Sequence, residues 1–276
     1  SKSPFRHLNQ QPKIVSIIQA RMGSTRLPGK ILLPLAGKPL LLRMYERVSL
    51  AKSAGEIVVA LTNEELDDQL ALLCQKNNIK IFRGSSFDLL DRHYKASKEY
   101  GAEVVIKIPS DCPLIDPHVI DKVILYYINN RDKYDFASNL HPPSYPDGND
   151  VEIMSFEALE NAWFNAKKDF EREHTTPFIW ENPDIFRIGN VVWEKGLDYS
   201  MTHRFTIDYK EDYEFIKRVY DKLYLKNKSF GLNEILKLLE EKPEIKKINE
   251  MYAGVNWYRN HLNKLKTISS EQTRKI

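Results

Sequence analysis

Short apolar runs alternate with amphipathic segments through the first half of the chain. Four β-branched runs have the composition of buried strands. They are KIVSIIQA (13–20), EIVVALT (56–62), IKIFRG (79–84) and VVIKI (104–108). The segments after them carry apolar residues at helical spacing, at about 39–48, 63–77, 86–100 and from 117 onward. These β-then-α units predict an α/β fold with a mixed, mainly parallel central sheet flanked by helices on both faces.

Capping residues mark several of the predicted helix ends. Asn63 is placed to cap the second helix, and Gly101 suits the end of the third. Asp116 followed by Pro117 is typical of a helix start, because proline at the first helical position loses no hydrogen bond.

The pattern divides the chain into four parts. Residues 1–12 are polar and predict a flexible arm, and 13–226 hold the main domain. Within that domain, about 139–200 predicts an inserted lobe with a helix near 155–167 and a strand pair around 185–195. Residues 227–276 predict a helical C-terminal extension.

Composition narrows the class of protein. The 276 residues carry 41 Lys or Arg and 38 Asp or Glu, and a net charge of +3 does not indicate a nucleic-acid-binding protein. The two cysteines, Cys74 and Cys112, suit a reducing compartment. No apolar stretch is long enough to span a membrane, and the first residues lack a signal-peptide core. We therefore expect a cytoplasmic protein without a membrane span.

The loop RMGSTRLPGK (21–30) follows the first predicted strand. Its glycines, Gly23 among them, let a backbone approach an anion closely, and its guanidinium groups can bind phosphate oxygens. Arg21, Arg26 and Lys30 can offset much of the charge of a nucleoside triphosphate. The spacing is not that of a Walker loop, and a basic solvated turn is the alternative.

Two aspartates follow predicted strands. Asp111 comes after the fourth strand, in SDCPLID, and Asp208 follows a later predicted strand, in TIDYKED. Two carboxylates at neighbouring strand ends can hold Mg²⁺. Asp116 and Asp212 are better suited to structural roles at helix starts.

These motifs together resemble the cytidylyltransferases that activate acidic sugars. QARMGSTRLPGKILLPLAGKPLL is similar to the opening of CMP-KDO and CMP-sialic acid synthetases. The later blocks look most like the spore-coat-polysaccharide branch of that family. They are FRGSSFDLLDRHY, SDCPLIDP, PDGNDVE, REHTTPFI and FTIDYKEDYE, in that order. The resemblance covers about residues 13–215.

The resemblance implies a GT-A-like nucleotidyltransferase fold and a Mg²⁺-dependent transfer of CMP from CTP to a hydroxyl of an acidic sugar or polyol, with release of pyrophosphate. The implied catalytic residues are Arg21, Lys30, Asp111 and Asp208, the two aspartates being the metal ligands. The implied nucleotide-binding residues are Gln19, Ala20, Arg21, Gly23, Ser24, Arg26, Lys30 and Arg92. The implied acceptor-binding residues are Asp147, Asp150, Glu152 and His174. A homodimer and a role in surface glycan biosynthesis are also implied.

Some residues keep two interpretations. His174 is as well explained as an ordinary helix-surface residue as by acceptor binding. We expect His203 and the four tryptophans (Trp163, Trp180, Trp193 and Trp257) to have packing roles, and Cys112 to be a buried thiol.

Three other functions stay open from the sequence. A nucleotidyltransferase could use another triphosphate, and a GT-A glycosyltransferase could use the same fold, although no Asp-x-Asp run stands at the strand end. An inactive scaffold could bind partners through its basic tail, since residues 241–276 contain eight Lys or Arg against four Asp or Glu.

Overall fold

A computed structural model describes residues 11–276. The strands are β1 (Ile14–Gln19), β2 (Pro34–Leu35), β3 (Lys38–Pro39), β4 (Glu56–Thr62), β5 (Lys80–Gly84), β6 (Val104–Pro109), β7 (Phe136–Ser138), β8 (Glu152–Ser155) and β9 (Ile188–Asn190). The first helices are α1 (Leu40–Ser49), α2 (Asp68–Lys76), α3 (Leu89–Glu99), α4 (Pro117–Asn129) and α5 (Phe156–Asn165). They are followed by α6 (Asp169–His174), α7 (Pro177–Trp180), α8 (Lys210–Leu223), α9 (Leu232–Glu241) and α10 (Pro243–Lys246). Most of the predicted arm, residues 1–10, lies outside the described residues.

Seven strands form one sheet in the order β5-β4-β1-β6-β8-β7-β9. The first four are mutually parallel. β8 is antiparallel to both β6 and β7, and β9 is parallel to β7. This is the mixed, mainly parallel sheet that the βα alternation predicts.

Buried side chains on alternate strand positions face opposite sides of the sheet. Ile18 and Ile106 belong to a core that includes α1, α4, α8 and α9. Val15, Ile17 and Val105 belong to a second core, with α3 and α5. Helices therefore cover both faces, which is why the central strands are apolar throughout.

Two of the three predicted helix ends are confirmed, and one is wrong. The Asp116 carboxylate accepts a hydrogen bond from the His118 N–H (2.7 Å), with Pro117 at the first helical position. Gly101 takes a left-handed φ of 64° just after α3. Asn63 is not the cap of α2, because the Asp67 carboxylate accepts from the Thr62 N–H (2.9 Å) and holds a short 3₁₀ turn before the helix.

Three predicted elements differ in the structure. Residues 185–195 contain one strand, β9, and not the predicted strand pair. β9 forms its backbone hydrogen bonds with β7 of the central sheet, so it has no hairpin partner within this segment. The segment before Asp208 is no sheet strand, and Arg204 makes only an isolated bridge with Asp147. The extension is α-helical only to Lys246, and beyond it the described residues form short 3₁₀ turns.

The range 139–200 does not form a sheet of its own. Its strands β8 and β9 continue the central sheet, while α5, α6 and α7 pack on one side. Among residues 11–276, no helix combines the length and apolar character that a membrane span needs.

Candidate active site

A cavity of about 340 Å³ opens at the carboxyl ends of β1 and β6. Gln19 at the end of β1, Pro109 at the end of β6, and Asp111 line it. β1 lies between β4 and β6, so the chain order reverses at this point. Open α/β sheets bind ligands at such a switch point, because the loops on either side diverge and leave a crevice.

Gln19 presents an unused acceptor to this cavity. Its Oε1 is buried and has no hydrogen-bond partner among the described residues. A buried acceptor without a partner costs free energy, so a ligand donor placed there would be favoured. The neighbouring Ala20 is buried, and its N–H donates to the Ala60 carbonyl (3.1 Å), which extends the strand pairing.

The basic loop 21–30 is anchored at both ends. The Met22 N–H donates to the Asp67 carboxylate (2.8 Å), and Lys30 Nζ donates to the Ile207 carbonyl (3.0 Å). Gly29 adopts a φ of 70°, which turns the chain before Lys30 and is a conformation that favours glycine. The loop therefore has a fixed entry and exit beside the cavity.

Of the loop side chains predicted to bind nucleotide, Arg26 lines the cavity. Arg21 and Gly23 are exposed, and the Ser24 hydroxyl accepts from the Leu27 N–H at 3.4 Å. Lys30 lies at the edge of the same region, 3.9 Å from Asp208.

Asp208 is paired with this loop. Arg26 Nε lies 2.7 Å from Asp208 Oδ2, although the Arg26 side chain is 49% exposed. An exposed pair of this kind is weak, so an incoming anion could take over its cation at little cost.

The backbone joins the two predicted metal ligands. The Ile207 N–H donates to the Asp111 carbonyl (2.9 Å), and the Thr206 hydroxyl donates to the same oxygen (3.0 Å). Both Asp111 and Asp208 line the cavity. The structure thus brings together two carboxylates that are almost a hundred positions apart in sequence.

The donor chemistry at these two residues fits a hard divalent cation such as Mg²⁺. The described residues contain no group of three or more His, Cys, Asp or Glu arranged around a metal position. A cation held by Asp111 and Asp208 would therefore complete its shell with water and phosphate oxygens, as Mg²⁺ commonly does.

Arg92, predicted to bind nucleotide, does not line the cavity. Its guanidinium donates to the carbonyls of Ser85 (2.9 Å), Ala60 (3.3 Å) and Ser86 (3.3 Å). Burial, and then the charge of Arg21, lowers the pKa of Arg92 to about 10. These contacts give Arg92 a place in holding the ends of β4 and β5.

The four predicted acceptor residues all line the cavity: Asp147, Asp150, Glu152 and His174. The loop carrying the first two is held by Asn149, whose Nδ2 donates to the Pro146 carbonyl (3.0 Å). Gly148 has a φ of 111°, and a Cβ there would lie 2.7 Å from the Phe205 carbonyl oxygen. The loop therefore packs directly against the segment that leads to Asp208.

The carboxylates of Asp147 and Asp150 are buried close to other acidic groups, which disfavours their charged forms. Burial raises the pKa of Asp147 to about 6, against the opposing effect of Arg204. Burial and the neighbouring Asp147 and Asp111 raise the pKa of Asp150 well above its usual range. Glu152 differs, because Lys107 lies 3.6 Å away and the Thr176 hydroxyl donates to its carboxylate.

His174 is an inward-facing residue. Its ring stacks on Trp257 at 4.0 Å between centroids, with 9° between the planes. Burial, and then Lys107, lowers the pKa of His174 to about 3. It is therefore uncharged at neutral pH. Its stacking on Trp257 and its place in the cavity lining contradict its interpretation as an ordinary helix-surface residue.

The tryptophans divide into two pairs. Trp193 is buried, and Trp163 stacks on Tyr94 at 4.3 Å, as packing roles predict. Trp180 and Trp257 instead line the cavity. Cys112 is fully buried, as predicted, and burial raises the pKa of its thiol well above the usual range.

The cavity lining also includes residues of functional type for which the sequence predicted no functional role, among them Lys107, Arg204, Trp257 and Tyr258. Lys107 and Arg204 stand in predicted strands, where a charged residue between apolar neighbours is a usable signal. No local pattern marks Trp257 or Tyr258, because the extension reaches the cavity only through tertiary packing.

These features together define a nucleotidyltransferase: the sheet order, the crevice at its switch point, and the basic loop beside two carboxylates. Within that class, the chain belongs to the cytidylyltransferase family, whose sequence model, described as Cytidylyltransferase, matches residues 15–244. The protein is accordingly a nucleotidyltransferase enzyme.

Individual relatives agree with this assignment. The chain is 33% identical to the spore coat polysaccharide biosynthesis protein SpsF of Bacillus subtilis, over 84% of this chain and 95% of that protein. It is 38% identical to an uncharacterized protein of Methanocaldococcus jannaschii, over 86% and 94% of the two chains. A solved cytidylyltransferase from Leptospira borgpetersenii is 34% identical and superposes with a TM-score of 0.80, covering 86% of this chain and 97% of that one.

Proposed function

We propose that the protein transfers a cytidylyl group from CTP to a hydroxyl of a sugar or polyol, with release of pyrophosphate, in the assembly of a surface glycan. The observation that carries this is the cavity at the β1–β6 switch point. At one end, Arg26, Lys30, Asp111 and Asp208 offer cations for phosphates and carboxylates for a metal. At the other, the acidic side chains of Asp147 and Asp150 and the rings of Trp180 and Trp257 line the space left for an acceptor.

The nucleotide would lie across the ends of β1 and β6. Gln19 Oε1 would accept from the cytosine amino group or a ribose hydroxyl, which satisfies its missing hydrogen bond. Arg26 and Lys30 would turn from Asp208 to the β- and γ-phosphates and stabilise the charge that develops on pyrophosphate.

The reaction is a displacement at the α-phosphorus of CTP. The acceptor oxygen forms a bond to phosphorus as the bond to the β-phosphate oxygen breaks, and the hydroxyl proton goes to a base. Asp147 suits that role, because its raised pKa of about 6 makes it a stronger base than an exposed aspartate while leaving it ionised at neutral pH.

Mg²⁺ held by Asp111 and Asp208 would neutralise phosphate charge. Releasing Asp208 from Arg26 would leave its carboxylate available to the cation as the phosphates take the guanidinium. The loop and the aspartates thus exchange partners when nucleotide binds. A homodimer and a cytoplasmic location stay predictions from the sequence.

Nucleotide choice and reaction type are tested together. In a thermal-shift panel of CTP, UTP, ATP and GTP with Mg²⁺, we expect CTP to raise the melting temperature most, because selective binding to the native state stabilises by about 2.7 kcal/mol at a hundredfold excess over Kd. Pyrophosphate release with a sugar library is the matching activity assay. Preference for another triphosphate would overturn the choice of CTP, and consumption of a preformed nucleotide sugar without pyrophosphate would indicate a glycosyltransferase.

A further inference from the structure

Lys107 is a charged residue in a central strand of the sheet. β6 lies between β1 and β8, and Lys107 is paired in register with Ile17 on one side and Glu152 on the other. The neighbouring residues Ile106 and Ile108 are fully buried and apolar. Because lysine is almost never buried without a partner, the contacts of this ammonium group indicate what the residue is for.

The Lys107 ammonium group has hydrogen-bond donors that the protein leaves unused. The side chain is only 9% exposed, and it lines the cavity. Its Nζ lies 3.6 Å from Glu152 Oε1, a distance that allows an ion pair but exceeds a hydrogen bond. No residue in the range 11–276 accepts a hydrogen bond from Lys107 Nζ. An ammonium group carries three donors, so they are available to a ligand in the cavity.

Glu152 holds the ammonium group in place without using these donors. The Glu152 carboxylate is buried, and its Oε2 accepts a hydrogen bond from the Thr176 hydroxyl. Thr176 Oγ1 in turn accepts from Trp180 Nε1 (3.1 Å). This chain of hydrogen bonds fixes the carboxylate and leaves Oε1 for Lys107. The ion pair therefore positions the lysine beside the cavity.

The other cations of the cavity lining are already engaged. In the described part of the chain, the Lys and Arg residues of the lining are Arg26, Lys107 and Arg204. Arg26 pairs with Asp208 at the phosphate end. Arg204 uses its donors on the Asp212 carboxylate and on two backbone carbonyls. Lys107 thus combines a buried charge in the lining with free donors.

Lys107 lies at the end of the cavity where the predicted acceptor residues stand. Burial, and then the charge of Lys107, lowers the pKa of His174 to about 3. Burial raises the pKa of Asp150 well above its usual range, and Lys107 opposes that rise. Burial favours the uncharged form of both groups, so Glu152 is the charge that balances Lys107.

We propose, building on the cytidylyl transfer proposed above, that Lys107 recognises the acceptor by donating hydrogen bonds to an oxyanion of it, a carboxylate or a phosphate ester, while Glu152 holds the ammonium group in place. Hydrogen bonds between an ammonium group and an oxyanion are charge-assisted and stronger than those between neutral groups. Lys107 thus selects the acceptor by its charge and takes no part in bond making at phosphorus.

The test measures acceptor binding to protein saturated with Mg²⁺ and the α,β-methylene analogue of CTP, which cannot release pyrophosphate. The anionic probes are 3-deoxy-manno-octulosonate, N-acetylneuraminate, glucuronate and mannose 6-phosphate. Each sugar acid is matched with its methyl ester, and the phosphate with mannose. By isothermal titration calorimetry, we expect at least one anionic probe to bind about tenfold or more tightly than its neutral partner, and that probe identifies the oxyanion. Anionic probes that bind no more tightly than their neutral partners in all four pairs overturn the inference.

Substitutions of Lys107 assign the preference to this residue. Lys107→Met nearly keeps the length of the side chain and removes its charge, so the Kd of the anionic probe should come within about threefold of that of its neutral partner. Lys107→Arg keeps the charge and should retain most of the preference. Lys122→Met is the control, because Lys122 pairs with Glu194 and does not line the cavity. It should leave the preference unchanged.

Folding is checked separately, because Lys107→Met leaves Glu152 buried without its ion-pair partner. The double variant with Lys107→Met and Glu152→Gln removes both charges. It should melt within a few degrees of the parent protein and also lose the preference. If the preference survives in both variants, another cation receives the oxyanion, such as a metal at Asp111 and Asp208, and the assignment to Lys107 is overturned.

CTP binding separates this inference from the proposed function. The Kd for CTP should change by less than about threefold in Lys107→Met, because Lys107 acts on the acceptor. A loss of CTP affinity larger than the loss of acceptor preference would overturn that role. Pyrophosphate release confined to neutral sugars overturns the inference and leaves the cytidylyl transfer standing. If CTP neither stabilises the protein nor releases pyrophosphate with any sugar, the proposed function fails, and the inference fails with it.

Discussion

At the residue scale, Asp111 and Asp116 show how two aspartates five positions apart serve different purposes. Among residues 11–276, the Asp111 carboxylate makes only a weak contact with the Cys112 thiol (3.9 Å), while the Asp111 backbone carbonyl accepts from Thr206 and Ile207. The Asp116 carboxylate is buried and accepts from two backbone N–H groups, of His118 (2.7 Å) and Leu232 (2.7 Å). The first side chain is available for chemistry, and the second is needed for structure.

Asp111→Asn should therefore remove turnover and spare the fold. We expect a loss of about a thousandfold or more in CTP turnover, since the amide cannot supply the negative charge that the metal requires. The melting temperature should stay within a few degrees of the parent, because the backbone contacts are retained. Turnover and thermal unfolding of the same preparation check both.

Asp116→Asn is the matched control. This substitution should lower the free energy of unfolding by about 1–3 kcal/mol, because it weakens the N-cap of α4 and the hydrogen bond to the Leu232 N–H at the start of α9. Turnover per folded molecule should be retained. Near-normal turnover in Asp111→Asn would contradict the metal assignment.

At the scale of elements, Arg204 links the segment before α8 to the C-terminal extension. Its guanidinium makes two hydrogen bonds to the Asp212 carboxylate and donates to the carbonyls of Tyr252 (3.1 Å) and Val255 (2.9 Å). The Asp212 carboxylate also accepts from the Asp208 N–H (2.9 Å). One buried ion pair thus positions both Asp208, the proposed metal ligand, and Val255, which lies two residues before Trp257.

Arg204→Met should lower the free energy of unfolding by about 3–5 kcal/mol, because it leaves Asp212 buried without its partner. Urea unfolding measures this. Arg218→Met on the exposed face of α8 is the control and should change stability by less than about 0.5 kcal/mol. Equal effects of the two substitutions would show that the buried network does not hold the extension.

At the scale of the whole molecule, stability should depend on pH through buried histidines. Burial lowers the pKa of His141 and His174 to about 3 and that of His203 to about 4. Below the unfolded value of about 6.5, the unfolded chain binds protons that the native state excludes, so stability is lost as pH falls from 6.5 towards 4. Asp147, with its raised pKa of about 6, acts in the opposite direction between about pH 6 and 4.

The slope of stability against pH near pH 5 should therefore fall by up to about one proton per molecule in His174→Phe. Unfolding free energies measured between pH 7 and 4.5 give that slope. His118→Gln, at an exposed position on α4, should leave it unchanged. An unaltered slope in His174→Phe would mean that this histidine is protonated in the native protein.

The sequence by itself determined the strands and helices of the first half of the chain, and that the first four long strands run in parallel. Apolar β-branched runs and helical spacing are local properties, so β1, β4 and β5 fall within the predicted ranges, and β6 extends one residue beyond its range, to Pro109. Parallel strands place their carboxyl ends on one edge, and this is why the loop 21–30 and Asp111 could be expected to lie together.

Tertiary structure decided what each charged group faces. Arg26 pairs with Asp208, which is 182 positions away, and Lys107 pairs with Glu152. Both pairs follow from packing between distant segments. The same holds for Trp257 and Tyr258, which enter the cavity because the extension folds back across the domain. Pairing and burial depend on the whole arrangement of neighbours, which no local pattern encodes, and so the charges that face the cavity could be derived only from the folded chain.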